Sequence, residues 1–250
     1  MRGLTLAALT LAASLALAGP PRHTPDELGP LFALGQQLEQ DYVEAEEGHD
    51  PEGQDRQAAL ARTAAAQARA QRLPDVAALF DTLAAGMARH LRPTGFFATF
   101  RKIDALLGKQ GGLPLTPAKP PDLALGAKRF DALCSSCHGK TGLGDTALAQ
   151  SQEPPPENLQ AADVVNHLSP WRIYVSIRWG VVDTAMPAYE TLDDEERWAI
   201  AFYVLTLRQG ECTGQPPPVP LAALATSTDQ ELSAKYTEAA LPCLRRGAAR

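Results

Sequence analysis

Apolar side chains recur at three- and four-residue intervals through the first half of the chain, the spacing of helices that each bury one face. Leu28, Leu31, Phe32, Leu38 and Tyr42 form one stripe, Val76, Leu79, Phe80, Leu83, Met87 and Leu91 a second, and Phe96, Phe100, Ile103 and Leu107 a third. The helix starts fall at prolines. Thr24-Pro25-Asp26-Glu27 has the form of a capping box with proline in the first turn, Asp50-Pro51-Glu52 repeats the proline start, and further starts fall near Pro74 and Pro93. Four helices joined by short turns predict an antiparallel bundle over about residues 24–109, within a unit spanning 19–112.

The pattern then breaks and resumes. Gly111 to Pro121 holds Gly-Gly and Pro114, Pro117, Pro120 and Pro121, the composition of a semi-rigid linker, with 113–121 as its Pro-rich part. Beyond it, Pro170 to Trp179 reads as a helix that Ser169 caps and Gly180 ends, carrying Trp171, Ile173, Tyr174, Ile177 and Trp179. Thr191 to Leu207 reads as another, opening with Asp193, Asp194, Glu195 and Glu196 and carrying Trp198, Ile200, Phe202 and Tyr203. After Gly210 to Pro220, a last helix is predicted with Leu232, Tyr236, Ala239 and Cys243 on one face. The expected fold is all-α: a bundle, a compact helical unit over 122–210, and a short helical tail over 211–250.

Composition adds a location and removes a class of partner. Residues 1–18 combine a positive end at Arg2, an apolar stretch from Leu4 to Leu17 and small residues at Ala16 and Ala18, the form of a Sec signal peptide cleaved before Gly19. No later run is apolar enough to span a bilayer, so a periplasmic, water-soluble mature chain is expected. The net charge is −6, and cleavage removes one more positive charge, which disfavours nucleic acid as a partner.

The four cysteines stand at 134, 137, 212 and 243. Cys134 and Cys137 are two residues apart and precede His138, the haem-attachment spacing: each thiol adds across a porphyrin vinyl group, and the adjacent imidazole reaches the iron. A thioredoxin-like pair would need a βαβ pattern, and a zinc site a second ligand pair; neither accompanies this motif. Cys212 and Cys243 are too isolated for a second motif. In an oxidising compartment they are expected to pair and pin the tail, the alternative being two buried thiols.

A sixth iron ligand is then needed. Met186, in Thr184-Ala185-Met186-Pro187-Ala188-Tyr189 between two helical stretches, is the favoured candidate: a non-helical loop can fold over a flat ring, and Pro187 stiffens it. His167, just before the Pro170 helix, is its rival but reads as an interhelical surface histidine. Met87 belongs to a core stripe, and His23, His49 and His90 read as surface groups.

Residues Asp122 to Arg208 resemble the class I cytochromes c. Gly126 and Phe130 match the family's first helix, whose glycine permits close contact with the last helix; Ile200 and Tyr203 match the partner positions there. The resemblance implies one covalent haem c on Cys134 and Cys137, axial His138 and Met186, and a proline carbonyl from Pro154-Pro155-Pro156 accepting a bond from the proximal histidine, with Pro155 and Pro156 as candidates. In so small a unit the haem is itself core, so Trp171 and Tyr174 are expected to line it. More loosely, the whole chain resembles the periplasmic part of bacterial iron permeases fused to a cytochrome c.

These readings predict an electron carrier rather than an enzyme, exchanging electrons with redox partner proteins. The looser resemblance implies a place in iron uptake beside a membrane iron permease or oxidase; a general respiratory shuttle is the alternative. A peroxidase-like enzyme would need an openable sixth position and a distal acid–base pair, for which only His167 and Arg178 are near. Glu44, Glu46, Glu47, His49, Asp50, Glu52 and Asp55 crowd one turn of the bundle, read as a solvated loop with a weak metal-binding alternative.

Overall fold

The computed structural model describes residues 23–48, 50–215 and 217–248. The segment read as a signal peptide and His49 lie outside these residues. The fold is all-α, with twelve α-helices and no strand among the described residues. No helix there is long and apolar enough to cross a membrane.

The first four helices begin where their prolines stand: α1 Pro25–Glu47, α2 Pro51–Ala70, α3 Pro74–Met87 and α4 Pro93–Gln110. Proline fits there because the first helical N–H has no intrahelical acceptor to lose. The Thr24–Glu27 capping box forms in both directions, with the Thr24 amide donating to the Glu27 carboxylate at 2.7 Å and the Glu27 amide donating to the Thr24 hydroxyl at 3.3 Å. Each helix packs on the next, and α4 returns to α1 to close the ring. The small face of α2, with Ala58, Ala61, Ala64, Ala65 and Ala68 buried, lets its neighbours approach closely. Every residue of the Leu28–Tyr42 stripe is buried, as are Phe96, Phe100, Ile103 and Leu107, and Met87 is core as expected.

The second group contains α5 Leu123–Leu133, α6 Ser135–His138, α7 Ala162–Val165, α8 Pro170–Trp179 and α9 Asp194–Val204. The α9 start is later than the sequence suggests, because Asp193 rather than Thr191 caps it, in a capping box with Glu196. The bundle is not held at a distance by residues 111–121. Leu113 is buried, and the two parts share one continuous core. Phe32 stacks on Trp179 with centroids 4.6 Å apart, and Gln36 donates to the Ser176 hydroxyl at 2.9 Å. The proline content suggested a tether; apolar and polar contacts from α1 and α4 decided otherwise.

The tail also departs from expectation. Instead of one helix it forms α10 Leu221–Thr226, α11 Asp229–Tyr236 and α12 Leu241–Gly247. Thr237, at φ 88°, ends α11, and Ala239 lies exposed in a 3-10 turn rather than on a shared face with Leu232 and Cys243. Cys212 and Cys243 are joined by a disulfide. Arg245 is completely buried, pairs with Asp229 at 2.7 Å and donates to the carbonyls of Leu224 and Ser227. Arg246 donates to the carbonyls of Thr206, Gln209 and Gly210 just beyond α9, where a cation also complements the helix dipole. In the acidic turn of the bundle, Asp50 pairs with Arg56 at 3.1 Å, and no metal-holding cluster occurs among the described residues.

Candidate functional site

Helix α5 begins at Asp122, whose carboxylate accepts from the amides of Ala124 and Leu125. Its Gly126 lies against α9 so closely that a Cβ would strike the Ala199 carbonyl and approach Tyr203 Cβ to 2.8 Å. The crossing is therefore made on Ala199 and Tyr203, whereas Ile200 turns toward the cavity described below. The close approach fixes where α5 ends, and α5 ends at Cys134. The next turn is α6, in which the amides of Cys137 and His138 both donate to the Cys134 carbonyl, at 3.2 and 2.9 Å. One helical turn thus sets all three groups of the Cys-x-x-Cys-His motif.

The chain then folds back beneath His138. Gly139 and Gly144 have φ of 75° and 69°, values open to glycine at little cost. The Gly144 amide donates to the His138 carbonyl at 2.8 Å, and a Cβ on Gly144 would lie 2.8 Å from the Pro156 carbonyl, so the loop and the proline run close on each other. Burial lowers the His138 imidazole pKa below its ordinary value, and the backbone of Glu157 opposes that shift. The ring is neutral at pH 7, as a metal ligand must be. Nδ1 of His138 is buried without a hydrogen-bond partner, so the expected bond to a Pro155 or Pro156 carbonyl is not formed, although both prolines line the same cavity. Burial pushes the Cys134 thiol up to about 11.

Met186 is held from the opposite side. Helix α8 stops at Gly180, φ 74°, where a Cβ would lie 2.6 Å from the Met186 carbonyl. The Val181 amide donates to that carbonyl at 3.2 Å, the Met186 amide donates to the Thr184 hydroxyl at 3.1 Å, and that hydroxyl donates on to the Val181 carbonyl. Tyr189 then ties the loop down: its amide donates to the Ile177 carbonyl at 2.9 Å and its hydroxyl to the Leu133 carbonyl at 3.0 Å.

Between these two sides lies a cavity of about 400 Å³, within the range of about 300–1,000 Å³ typical of sites that bury most of a ligand. Cys134, Cys137, His138 and Met186 all line it, as do Pro155 and Pro156. Cys134 and Cys137 are free thiols. Phe130, Ile173, Ile177, Ile200 and Val204 supply apolar wall. This donor set, one soft thioether, one imidazole and two thiols lining a largely apolar cavity, fits a haem c.

Two expected wall residues are elsewhere. Trp171 and Tyr174 stack on each other at 5.4 Å, and Tyr174 stacks on Trp198 at 4.8 Å; both point to the face of α8 away from the cavity, which Ile173, Ser176 and Ile177 occupy. Periodicity located the helix and left the choice of face open, and the aromatic face packs on α9. His167 is also placed differently from its surface reading: it lines the cavity and stacks on Phe97 of α4 at 4.8 Å. Arg178 lies outside the cavity, over the Trp179 ring and 4.0 Å from Asp26, so the His167–Arg178 pair is not assembled.

The sequence reading missed the bundle's share of the site. Gln36 and Glu39 of α1 and Phe97 of α4 line the cavity together with Arg172 of α8. Gln36 and Glu39 lie four and seven positions beyond Phe32, a polar continuation of its helix face, and that is the signal the sequence carries. Nε of Arg172 pairs with Glu39 at 2.5 Å, while its Nη1 and Nη2 are buried without a hydrogen bond.

Residues 121–204 match the family model described as cytochrome c oxidase, cbb3-type, subunit III. No curated protein and no solved structure matches the chain. The match covers α5 to α9 and leaves the bundle and tail outside it, and no comparison links the chain to iron permeases. The matched segment of this all-α chain is a c-type cytochrome domain.

Proposed function

We propose that the chain is a periplasmic monohaem electron carrier, with one haem c joined through Cys134 and Cys137 and ligated by His138 and Met186. Bound there, the group supplies a reversible one-electron change between Fe(III) and Fe(II). The observation that carries the reading is the convergence of both thiols, the imidazole and the thioether on one cavity from a helical turn and a separately braced loop. His138 is neutral and sits on a rigid helical turn. Met186 would supply the second protein ligand, and its soft sulfur would favour the reduced state. The apolar wall of Ile173, Ile177, Ile200 and Val204 excludes water, so the charge change occurs in a medium that rearranges little. Arg178 lies outside the cavity, so the His167–Arg178 pair is not assembled there.

The partners are one-electron redox proteins, an oxidase complex among them, as the name of the matching family suggests. The finer role, electron transfer in iron uptake beside a permease, rests on the resemblance of the whole chain and is the secondary reading. Localisation rests on residues 1–18.

The test is expression with a periplasmic haem-attachment system, followed by a haem stain after denaturation and by visible and near-infrared spectra. Expected are a haem that survives denaturation and an oxidised-state near-infrared thioether band that Met186→Ala abolishes. A high-spin spectrum unchanged by Met186→Ala would overturn the ligand assignment, and haem lost on denaturation would overturn the covalent one.

A further inference from the structure

Arg172 contributes the one guanidinium lining the cavity among the described residues, and two carboxyls from the bundle face it. Glu39 of α1 pairs with its Nε at 2.5 Å, and Asp104 of α4 lies 3.9 Å from its Nη1. The Phe100 ring lies 5.3 Å from its Cζ. The Arg172 side chain is 5% exposed and that of Asp104 is 9% exposed. The other charged or titratable groups nearby are Arg101 of α4, more than a third exposed and paired with Glu231 of α11 at 2.5 Å, His167 on the segment before α8, and Glu157 and Asp163, which line the same cavity. One buried cation thus faces two carboxyls, that of Asp104 buried and that of Glu39 15% exposed. Desolvation pushes Asp104 up to about 7 and Glu39 upward as well, against the attraction of Arg172. The Glu39 charge pushes Asp104 further in the same direction, so the two acids are coupled. Glu39 lines the same cavity as His138 and Met186.

We propose that Glu39 on the cavity wall and Asp104 behind it, joined through Arg172, take up one proton when the haem site gains an electron, so that this carrier moves a proton with its electron. The inference rests on the haem reading above. The electron comes from a one-electron donor protein as iron passes from Fe(III) to Fe(II). The proton comes from solvent and forms one carboxyl O–H, and both leave again on oxidation. No bond to iron forms or breaks. The direction follows from charge: one more negative charge in the cavity favours the protonated acid. For unit charges about 10 Å apart at an effective dielectric of about 20, the effect is roughly tenfold in the equilibrium constant. It also gives the bundle a role in the cytochrome, since both acids come from α1 and α4.

The experiment is a spectroelectrochemical titration of the haem-loaded full chain from about pH 5 to about pH 9, as wild type and as E39Q, D104N and the double variant. The wild-type reduction equilibrium constant should fall as pH rises above about 7, by at most tenfold per pH unit, about 59 mV for one electron, and level off at both extremes. The fall should shrink in D104N and vanish in the double variant while the near-infrared thioether band persists. A pH-independent wild type overturns the proposal without any variant, and so does an unchanged fall in the double variant. If the double variant does not fold, an unchanged fall in both single variants has the same force. Absence of covalent haem or of the thioether band, read before any titration, would refute the cytochrome reading instead.

Discussion

Replacing Gly126 by alanine puts a methyl group where α5 crosses α9. It would overlap the Ala199 carbonyl oxygen and lie 2.7 Å from the Ala199 carbonyl carbon and 2.8 Å from Tyr203 Cβ. Ordinary carbon–carbon contacts are about 3.5–4.0 Å, so α9 must retreat by roughly 1 Å. Two of the obstructing atoms are backbone, which no rotamer change can move. Overpacking typically costs about 1–3 kcal/mol, and a backbone obstruction belongs at the upper end, near 3 kcal/mol. Alanine in place of glycine in a helix returns about 1 kcal/mol. The expected net loss is about 2 kcal/mol, or a fall in Tm of roughly 4–8 °C for a chain of this size. The matched control is Gly210→Ala, where an added Cβ meets nothing within 4 Å; its effect should stay within about 0.5 kcal/mol. Thermal and urea unfolding of the haem-loaded chains measure both. Because α9 carries Ile200 and Val204 into the cavity, Gly126→Ala should also lower the yield of attached haem. If Gly126→Ala unfolds at the same temperature as Gly210→Ala, the claim that this crossing holds Cys134 in place is refuted.

Two further outcomes are expected. Asp229→Ala leaves Arg245 buried without its partner and should cost about 3–5 kcal/mol, read as a lower urea midpoint and faster proteolysis of the tail; an unchanged midpoint would mean that Arg245 finds water or another acceptor. Asp104 has its folded-state pKa raised from 3.8 to about 7, so between these values the folded chain holds a proton that the unfolded chain releases. Stability should therefore fall as pH rises through that window, by up to about 1.4 kcal/mol per pH unit, and level off above about pH 7. Urea midpoints across the window should show a shallower fall in Asp104→Asn, and equal slopes in variant and wild type would count against the raised value.

Local chemistry left clear marks in the sequence. The prolines at 25, 51, 74 and 93 started their helices because the first helical amide needs no acceptor, and Ser169 and Gly180 bounded α8 for similarly local reasons. Cys134, Cys137 and His138 were legible because one helical turn suffices to bring them together. That Met186 lies in a non-helical loop was legible from Pro187 and the break between two helical stretches. What depends on which elements pack together was not legible. Trp171 and Tyr174 turned to α9 rather than the cavity, because an aromatic helix with two apolar faces does not declare its neighbours. A proline-rich segment that reads as a tether lies on one shared core, because Phe32, Gln36 and Glu39 find partners on α8. Residues from positions 36 to 204 meet at one cavity, and no periodicity spans that separation. The sequence by itself determined where the helices of the bundle begin and that Cys134, Cys137 and His138 share one helical turn, since both rest on contacts a few residues long. Only the tertiary structure decided that the bundle closes the haem cavity and sets a pair of acids beside it, since that depends on long-range packing between helices remote in the chain.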